Sequence, residues 1–136
     1  MKLRELLEMP YGDPVNNSEY SLPNWFEGIM DYEICDLSDF DISRLIRQKI
    51  IKNQILEEAV KRFFKNPLIG TYDGELLKQF ANLDKGYWEN NLECAKQMNK
   101  YILLLNINEL DWFDEEDKFE FTNNINKLKN LIEEIK

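Results

Sequence analysis

The sequence predicts an all-α protein, a single-domain irregular bundle of about five to six helices. Apolar residues recur at helical spacing in several segments, whereas strand-like alternation never extends beyond about four residues. The chain has 136 residues, 43% of them hydrophobic, and a chain of this length removes about 70% of its unfolded surface from water. We expect one domain, 1–136, with a loop-rich N-terminal segment over 1–36 and a helical core over 37–136.

The N-terminal segment begins with a short amphipathic turn. Leucines at near-helical spacing occupy residues 3–7, and Pro10 ends this pattern. Glycine, proline, asparagine and serine are frequent over 11–23, which predicts an irregular surface segment. The apolar residues over 25–30 are expected to form one turn before the next loop.

Two helices with clear periodicity follow. The first begins at Ser38, which forms a capping-box-like pattern with Asp41. Its apolar face consists of Ile42, Leu45, Ile46 and Ile50. The second extends over 51–64 and ends before Pro67, because a proline disfavours helical backbone in the residue that precedes it.

The C-terminal half predicts a connector and three further helices. Residues 68–75 are rich in turn formers, and Asp73 is placed to cap the next helix. The apolar positions of that helix are Leu76, Leu77, Phe80 and Ala81. One helix follows over 87–105, and the last begins near Asp114. Its apolar seam is Phe121, Ile125, Leu128, Ile132 and Ile135, which we expect to cover the domain's own core; coiled-coil dimerisation is the alternative.

The residue types present exclude most familiar catalytic arrangements. The chain contains no histidine, so it has no imidazole for a Ser-His-Asp or Cys-His site and none to bind a metal. The loop that contains Gly70 and Gly74 lacks the spacing of a phosphate-binding loop. We therefore expect no enzymatic activity, no cofactor and no small-molecule substrate.

The charge and the cysteines indicate the partner class and the compartment. A formal net charge of −9 argues against nucleic-acid binding and favours a basic partner. Cys35 and Cys94 match no metal motif, so we expect buried free thiols in a reducing cytosol rather than a disulfide. Residues 1–10 do not resemble a signal peptide, and the longest apolar run, 101–105, is too short to cross a bilayer. The sequence therefore predicts a cytoplasmic protein without a membrane partner.

Acidic residues are concentrated towards the two ends of the chain. Residues 1–43 hold two basic and ten acidic side chains, 44–100 hold eleven and seven, and 101–136 hold four and nine. Like charges this close repel one another unless a cationic partner relieves them, which predicts a binding role. The candidate partner-binding residues are Glu109, Asp111, Trp112, Asp114, Glu115, Glu116 and Asp117, with a second patch at Asp31, Glu33, Asp36 and Asp39.

The patch at 109–117 also has explanations that involve no partner. Acidic residues in the first turn of a helix are stabilised by its dipole, which accounts for part of the cluster. Trp112 and Phe113 are either aromatic anchors for a partner or a hydrophobic staple at the helix start. Calcium binding is disfavoured, because the segment lacks the glycine and the ligand spacing of an EF-hand loop.

A third group of polar residues is interpreted as structural. Its members are Arg44, Arg47, Gln48, Tyr72, Asp73 and Gly74. We expect a buried or half-buried Arg44 or Arg47 to pair with Asp73 and so to lock the connector onto the first long helix. A ligand site at this position is the alternative.

Five short motifs follow one another in the central part of the chain. They are LSDFDISRLIRQ at 37–48, LEEAV at 56–60, NPL at 66–68, GTYDGELL at 70–77 and YW at 87–88. In order and spacing, the segment 37–88 resembles the immunity proteins of bacterial contact-dependent growth inhibition systems. The N-terminal loop and the C-terminal helix carry no matching motif.

The resemblance implies a small cytoplasmic protein that binds and blocks a toxin domain, commonly a nuclease, delivered by a neighbouring cell. It also implies that specificity lies in variable surface, so that the matched motifs mark the scaffold. Carboxylates presented to a phosphate-attracting active site imitate the field of the substrate and exclude nucleic acid. We therefore expect a one-to-one complex with the C-terminal domain of the toxin. An RNase or tRNase toxin is preferred over a DNase toxin. The alternative is a regulatory adaptor that docks its C-terminal amphipathic helix on another protein.

Overall fold

The computed structural model describes residues 2–7, 21–70, 73–112 and 114–135, without the side chains of 21–24. These parts of the chain are all-α, as predicted. The helices are α1 (Leu3–Leu6), α2 (Ser21–Ile29), α3 (Asp39–Arg47), α4 (Asn53–Lys65), α5 (Glu75–Ala81), α6 (Lys85–Glu89), α7 (Leu92–Leu104) and α8 (Glu115–Glu133). Two of them, α1 and α6, have only four and five residues, which leaves six longer helices. The chain divides into two compact units, residues 1–38 and 39–136.

In the first unit, the start of the chain pairs with the segment after α2. The backbone N–H of Leu3 donates to the carbonyl oxygen of Tyr32 at 3.0 Å, and that of Arg4 donates to Met30 at 2.8 Å. Lys2 and Glu33 form an isolated antiparallel bridge next to these bonds. Leu3 and Met30 are both fully buried, so these backbone bonds lie beside an apolar core.

The beginning of α2 differs from the prediction. The helix begins at Ser21, whereas the sequence predicts an irregular segment up to Pro23. Proline is compatible with the first turn of a helix, because the N–H groups there have no intrahelical acceptor in any case. The part of the predicted irregular segment over 11–20 lies outside the described residues.

In the second unit, an aromatic cluster occupies the core. The ring of Phe63 meets those of Phe80 and Tyr101 edge to face, at centroid distances of 5.8 and 5.4 Å. Phe80 in turn contacts Trp88 at 5.7 Å. These rings belong to α4, α5, α6 and α7. Their edge-to-face packing holds the four helices together.

The first long helix ends earlier than its apolar face suggests. Lys49 adopts a left-handed backbone conformation with φ of 63°. Its N–H donates to Ile46, and the N–H of Ile50 donates to Leu45, which is the hydrogen-bond pattern of a Schellman motif. Ile50 therefore lies outside α3, although the spacing places it on the same helical face.

The helix predicted over 87–105 is two helices. α6 ends at Glu89, and α7 begins at Leu92. At the break, the side-chain amide of Asn91 donates from Nδ2 to the carbonyl oxygen of Tyr87 at 2.8 Å. Asparagine competes in this way with the helical backbone for hydrogen bonds, which explains why the helix is interrupted where two asparagines follow each other.

The last helix buries most of its predicted apolar seam, whereas Ile135 lies beyond the end of α8 and is half-buried. Four of its residues are buried: Phe121, Ile125, Leu128 and Ile132. α8 packs most extensively against α5 and also contacts α6 and α7. The seam therefore covers the core of its own unit, whereas the adaptor alternative requires this seam to be exposed.

Candidate functional site

The candidate surface is formed by the loop before α8 and by the first turn of that helix. Within the loop, Asn106 caps a single 3₁₀ turn, Ile107–Glu109, by accepting a hydrogen bond from the N–H of Asn108 at 3.1 Å. Trp112 then donates from Nε1 to the carbonyl oxygen of Ile107 at 2.9 Å. The loop is thus held by its own side chains before the helix begins.

The indole of Trp112 is half-buried against the helix. Its ring centroid lies 5.0 Å from that of the buried Phe121, with an angle of 68° between the ring planes. This edge-to-face contact holds the loop on α8 and gives Trp112 a structural role, through a helix residue later than the one that a hydrophobic staple uses. The neighbouring Phe113 lies outside the described residues.

α8 begins close to the predicted position, and a side-chain cap fixes its start. The Oδ1 of Asp114 accepts a hydrogen bond from the N–H of Glu116 at 2.8 Å. Glu115, Glu116 and Asp117 occupy the first turn, where the helix dipole favours negative charge. Cap and dipole together hold these side chains at a defined position.

Five carboxylates of this region are exposed and form no ion pair within the described part of the chain. They belong to Glu109, Asp111, Asp114, Glu115 and Glu116, and we call them the acidic surface. Among the residues that the structure describes, no lysine or arginine nitrogen lies within 4.0 Å of these carboxylates. The acidic surface therefore presents its charge to solvent.

Asp117, at the edge of this surface, is half-buried and electrostatically strained. Burial raises the pKa of its carboxyl, and the negative charges of Asp114, Asp73 and Glu120 raise it further. Burial is the largest of these causes, and repulsion by the neighbouring carboxylates adds to it. A cationic partner close to Asp117 would relieve the repulsive part.

Phe119 is a candidate binding residue that the sequence reasoning missed. Its side chain is 71% exposed, and it lies in a shallow depression of about 500 Å³ whose other residues are Glu115, Glu116, Glu120 and Asn123. The sequence could have identified Phe119 as exposed by its position, because residue 119 does not belong to the seam formed by residues 121, 125, 128 and 132. An aromatic residue off the seam of an amphipathic helix has no core to pack against.

Two of the four residues in the second acidic patch form ion pairs with arginines. Arg4 donates from Nε to Asp31 and from Nη2 to Glu27, both at 3.2 Å. Arg62 donates from Nη1 to Asp39 at 3.1 Å. Of the other two patch residues, Glu33 directly precedes the 3₁₀ turn Ile34–Asp36, and Asp36 is the last residue of that turn. Two of the four patch residues are thus neutralised within their own units.

The residues of the third group differ in their surroundings. Arg44 is half-buried, whereas Arg47 and Gln48 are exposed. Asp73 lies close enough to Asp117 to raise its pKa. The proposed pairing of Asp73 with an arginine of α3 stays a prediction, and Tyr72 lies outside the described residues.

Gly74 takes the N-cap position of α5 that the sequence assigned to Asp73. Its φ is +87°, and no side chain caps the helix. A Cβ atom at this position is only 2.9 Å from Cδ2 of Phe121. The left-handed backbone and the close approach of α8 both select glycine.

The two cysteines differ in their environment. Both are free; Cys94 is buried, as predicted, whereas Cys35 is exposed. Burial raises the pKa of the Cys94 thiol, and the carboxylates of Glu57 and Glu93 raise it further. The Cys94 thiol is therefore held protonated at neutral pH.

The described ranges contain neither a metal-ligand cluster nor a helix suited to span a membrane. No three or more cysteine and carboxylate side chains converge there as a metal site does. None of the helices in the same ranges has the length and apolar composition needed to cross a bilayer.

Most of the chain matches a known protein family. The family model, described as CDI immunity proteins, matches residues 8–98, which is more than half of the chain. The matched range includes the motif-bearing segment 37–88 and ends within α7, so α8 and the acidic surface lie beyond it. No curated protein matches the chain.

Proposed function

Since the chain belongs to the family of CDI immunity proteins, we propose that it neutralises a nuclease toxin by covering the active site with the acidic surface. In this proposal the partner is the C-terminal toxin domain, bound in a one-to-one complex in the cytoplasm. The protein itself performs no chemistry. Its helices hold a negative surface that competes with the nucleic-acid substrate.

The observation that carries this proposal is that, in the described part of the chain, the carboxylates of the acidic surface form no ion pair with a lysine or arginine. Carboxylates that a fold neutralises internally, such as that of Asp39, have little field left for a partner. Those of Glu115 and Glu116 are exposed at the start of a long helix and project their field into solvent. A nuclease active site is built to attract phosphate, so this field guides the two proteins together.

The position of the acidic surface in the chain also supports the proposal. An immunity protein must distinguish its own toxin from others, and such discrimination needs residues that are specific to one pair. The family model ends at residue 98, whereas the acidic surface begins at Glu109. The surface proposed to bind the toxin therefore lies outside the range that the family model matches, as expected for residues specific to one pair.

The rigidity of the surface supports tight binding. The loop is closed by Trp112, and the helix start is capped by Asp114. Side chains that are already ordered lose less conformational entropy when a complex forms. Only the ends of the glutamate side chains then need to be ordered at the interface.

The test measures association with an inactivated form of the toxin domain encoded immediately upstream. Replacing Glu115 and Glu116 together by Gln removes two charges and keeps the side-chain size. We expect the association rate constant to fall about tenfold at low salt, and its dependence on salt concentration to weaken. Protection of cells that express the active toxin should fall in parallel.

A matched control lies at the other end of the same helix. Glu133 and Glu134 are exposed there, and replacing both by Gln makes the same change in net charge. With both double variants measured at physiological salt, we expect this one to keep the association rate within about twofold of wild type, since charges farther than a Debye length from the contact are screened there. Equal effects of the two double variants would show that only net charge matters and would refute active-site occlusion by the acidic surface.

A further inference from the structure

The outer face of α8 places a phenyl ring among carboxylates. Phe119 is 71% exposed, whereas Phe121 is 1% exposed, because two residues on an α-helix are separated by about 200°. Glu115 and Glu116 lie one turn before Phe119, and Asn123 lies one turn after it, all lining the same depression. The phenyl ring is therefore the apolar part of a lining that otherwise consists of polar side chains.

The charges around Phe119 differ in whether the fold already uses them. The carboxylate of Glu120 forms an ion pair with Lys78, with 3.2 Å between Oε1 and Nζ. In the described part of the chain, the carboxylates of Glu115 and Glu116 have no such partner. An occupant of the depression thus meets one apolar ring and two negative charges that are available for pairing.

The chemistry of this face selects one type of side chain. A purely apolar group would remove the carboxylates from water without compensation, and an acidic group would be repelled. The ammonium group of lysine is compact and strongly hydrated. The guanidinium group of arginine is planar and weakly hydrated, so that it stacks on a ring while its edge donates hydrogen bonds to carboxylates.

We propose that Phe119 is an interface anchor on which an arginine side chain of the toxin stacks, with Glu115 or Glu116 accepting its hydrogen bonds. This inference rests on the proposed function, since it takes the toxin domain as the partner. It adds a residue outside the predicted acidic patch. It also replaces a diffuse attraction between charges by one specific contact.

The experiment uses the full-length protein and the inactivated toxin domain, with affinities measured by calorimetry. We expect Phe119→Ala to weaken binding about tenfold, and Phe119→Trp to stay within about threefold, since indole is the better ring for cation stacking. Phe119→Leu keeps an apolar side chain without a ring and should weaken binding at least fivefold. Wild-type affinity of the leucine variant would overturn the proposal.

The control is another exposed apolar residue. Leu104, at the end of α7, is 77% exposed and does not line the depression. Leu104→Ala should leave the affinity unchanged. An equal loss for Leu104→Ala and Phe119→Ala would mean that general apolar contact, rather than this ring, drives binding, and would refute the proposal.

The arginine itself is tested by replacing arginines at the toxin surface one at a time by lysine. One such substitution should weaken binding to the wild-type protein at least fivefold and to Phe119→Ala by less than twofold. No coupling at any arginine would refute the stacked contact. If the Glu115 and Glu116 double variant weakens binding while Phe119→Ala does not, only this inference fails, whereas absence of any complex with the wild-type protein refutes the proposed function.

Discussion

The two acid-rich regions of this chain have similar residue composition and different surroundings. At 31–39, the carboxylates of Asp31 and Asp39 are held by arginines at 3.2 and 3.1 Å. At 109–116, none of the exposed carboxylates has a lysine or arginine within 4.0 Å among the described residues. The first region uses its charge to hold the fold together, whereas the second presents it to solvent.

The difference arises from residues that are distant in sequence. Arg4 precedes Asp31 by 27 positions, and Arg62 follows Asp39 by 23. A local count of charges does not reveal such pairs. Only the folded chain shows which acidic cluster is already neutralised, and this is why the candidate site is placed at α8.

The largest expected effect comes from removing the support under the acidic surface. Phe121→Ala deletes a ring that is 1% exposed and contacts Trp112. We expect the free energy of unfolding, measured by urea denaturation, to fall by about 3–5 kcal/mol. Phe119→Ala on the opposite face should change it by no more than about 0.5 kcal/mol. Similar losses for both variants would contradict the anchoring of the acidic surface through Phe121.

A second effect tests the same support from the side of α5. Gly74→Ala places a Cβ 2.9 Å from Phe121 in a backbone with φ of +87°. Left-handed strain and displacement of the ring together should cost about 2–3 kcal/mol in a urea titration. At Gly86 in α6, a Cβ would meet no atom within 4 Å, so Gly86→Ala should be neutral or stabilising by up to about 1 kcal/mol. Destabilisation of both variants to the same extent would contradict this account.

A third change makes the first region resemble the second. Arg62→Met leaves the carboxylates of Asp39 and Glu58 without their shared cation, which lies 3.1 and 3.0 Å from them. Because Arg62 is largely buried and Asp39 is exposed, we expect a loss of about 1–2 kcal/mol in the free energy of unfolding. Lys61→Met makes the same charge change at an exposed neighbour and should stay within about 0.5 kcal/mol. An equal loss for both would show that Arg62 contributes only net charge.

The smallest effect concerns the repulsion at the edge of the acidic surface. The pKa of Asp117 is raised above its ordinary value of 3.8 by burial and by neighbouring carboxylates. Between the unfolded and the folded pKa, the native state binds more protons, so this group lowers stability as pH rises through that interval. Asp117→Asn should therefore raise the melting temperature slightly at pH 7 and flatten its pH dependence in the interval above pH 3.8. A lower melting temperature at pH 7 would show that the helix dipole outweighs the repulsion.

Helical periodicity was sufficient to predict the main helices of the core. The apolar faces of α3, α4 and α8 repeat at the spacing that buries one side of a helix, and the cap at Asp114 follows from its side chain. Where the prediction failed, a single residue changed the backbone. The side chain of Asn91 bonds to Tyr87 and divides one predicted helix into two. A conformation with positive φ places the helix cap at Gly74 and not at Asp73.

The candidate site was predictable in part. The run of acidic residues before and within α8 is visible in the sequence, and the start of the helix near Asp114 was predicted from it. The exposure of Phe119 depends on which face of α8 packs against α5. The predicted seam already gives this rotation, since it buries Phe121 and leaves Phe119 on the other face, whereas the contact between Trp112 and Phe121 depends on how the preceding loop folds back onto α8.

The unequal cysteines give the protein a built-in probe of its own opening. A thiol-reactive dye should modify Cys35 in the native state, because that side chain is exposed. Cys94 should react only when the helices around it separate, since it is buried and its pKa is raised. The rate of its labelling therefore reports how often the core opens in the free protein, and how far a bound partner suppresses that opening.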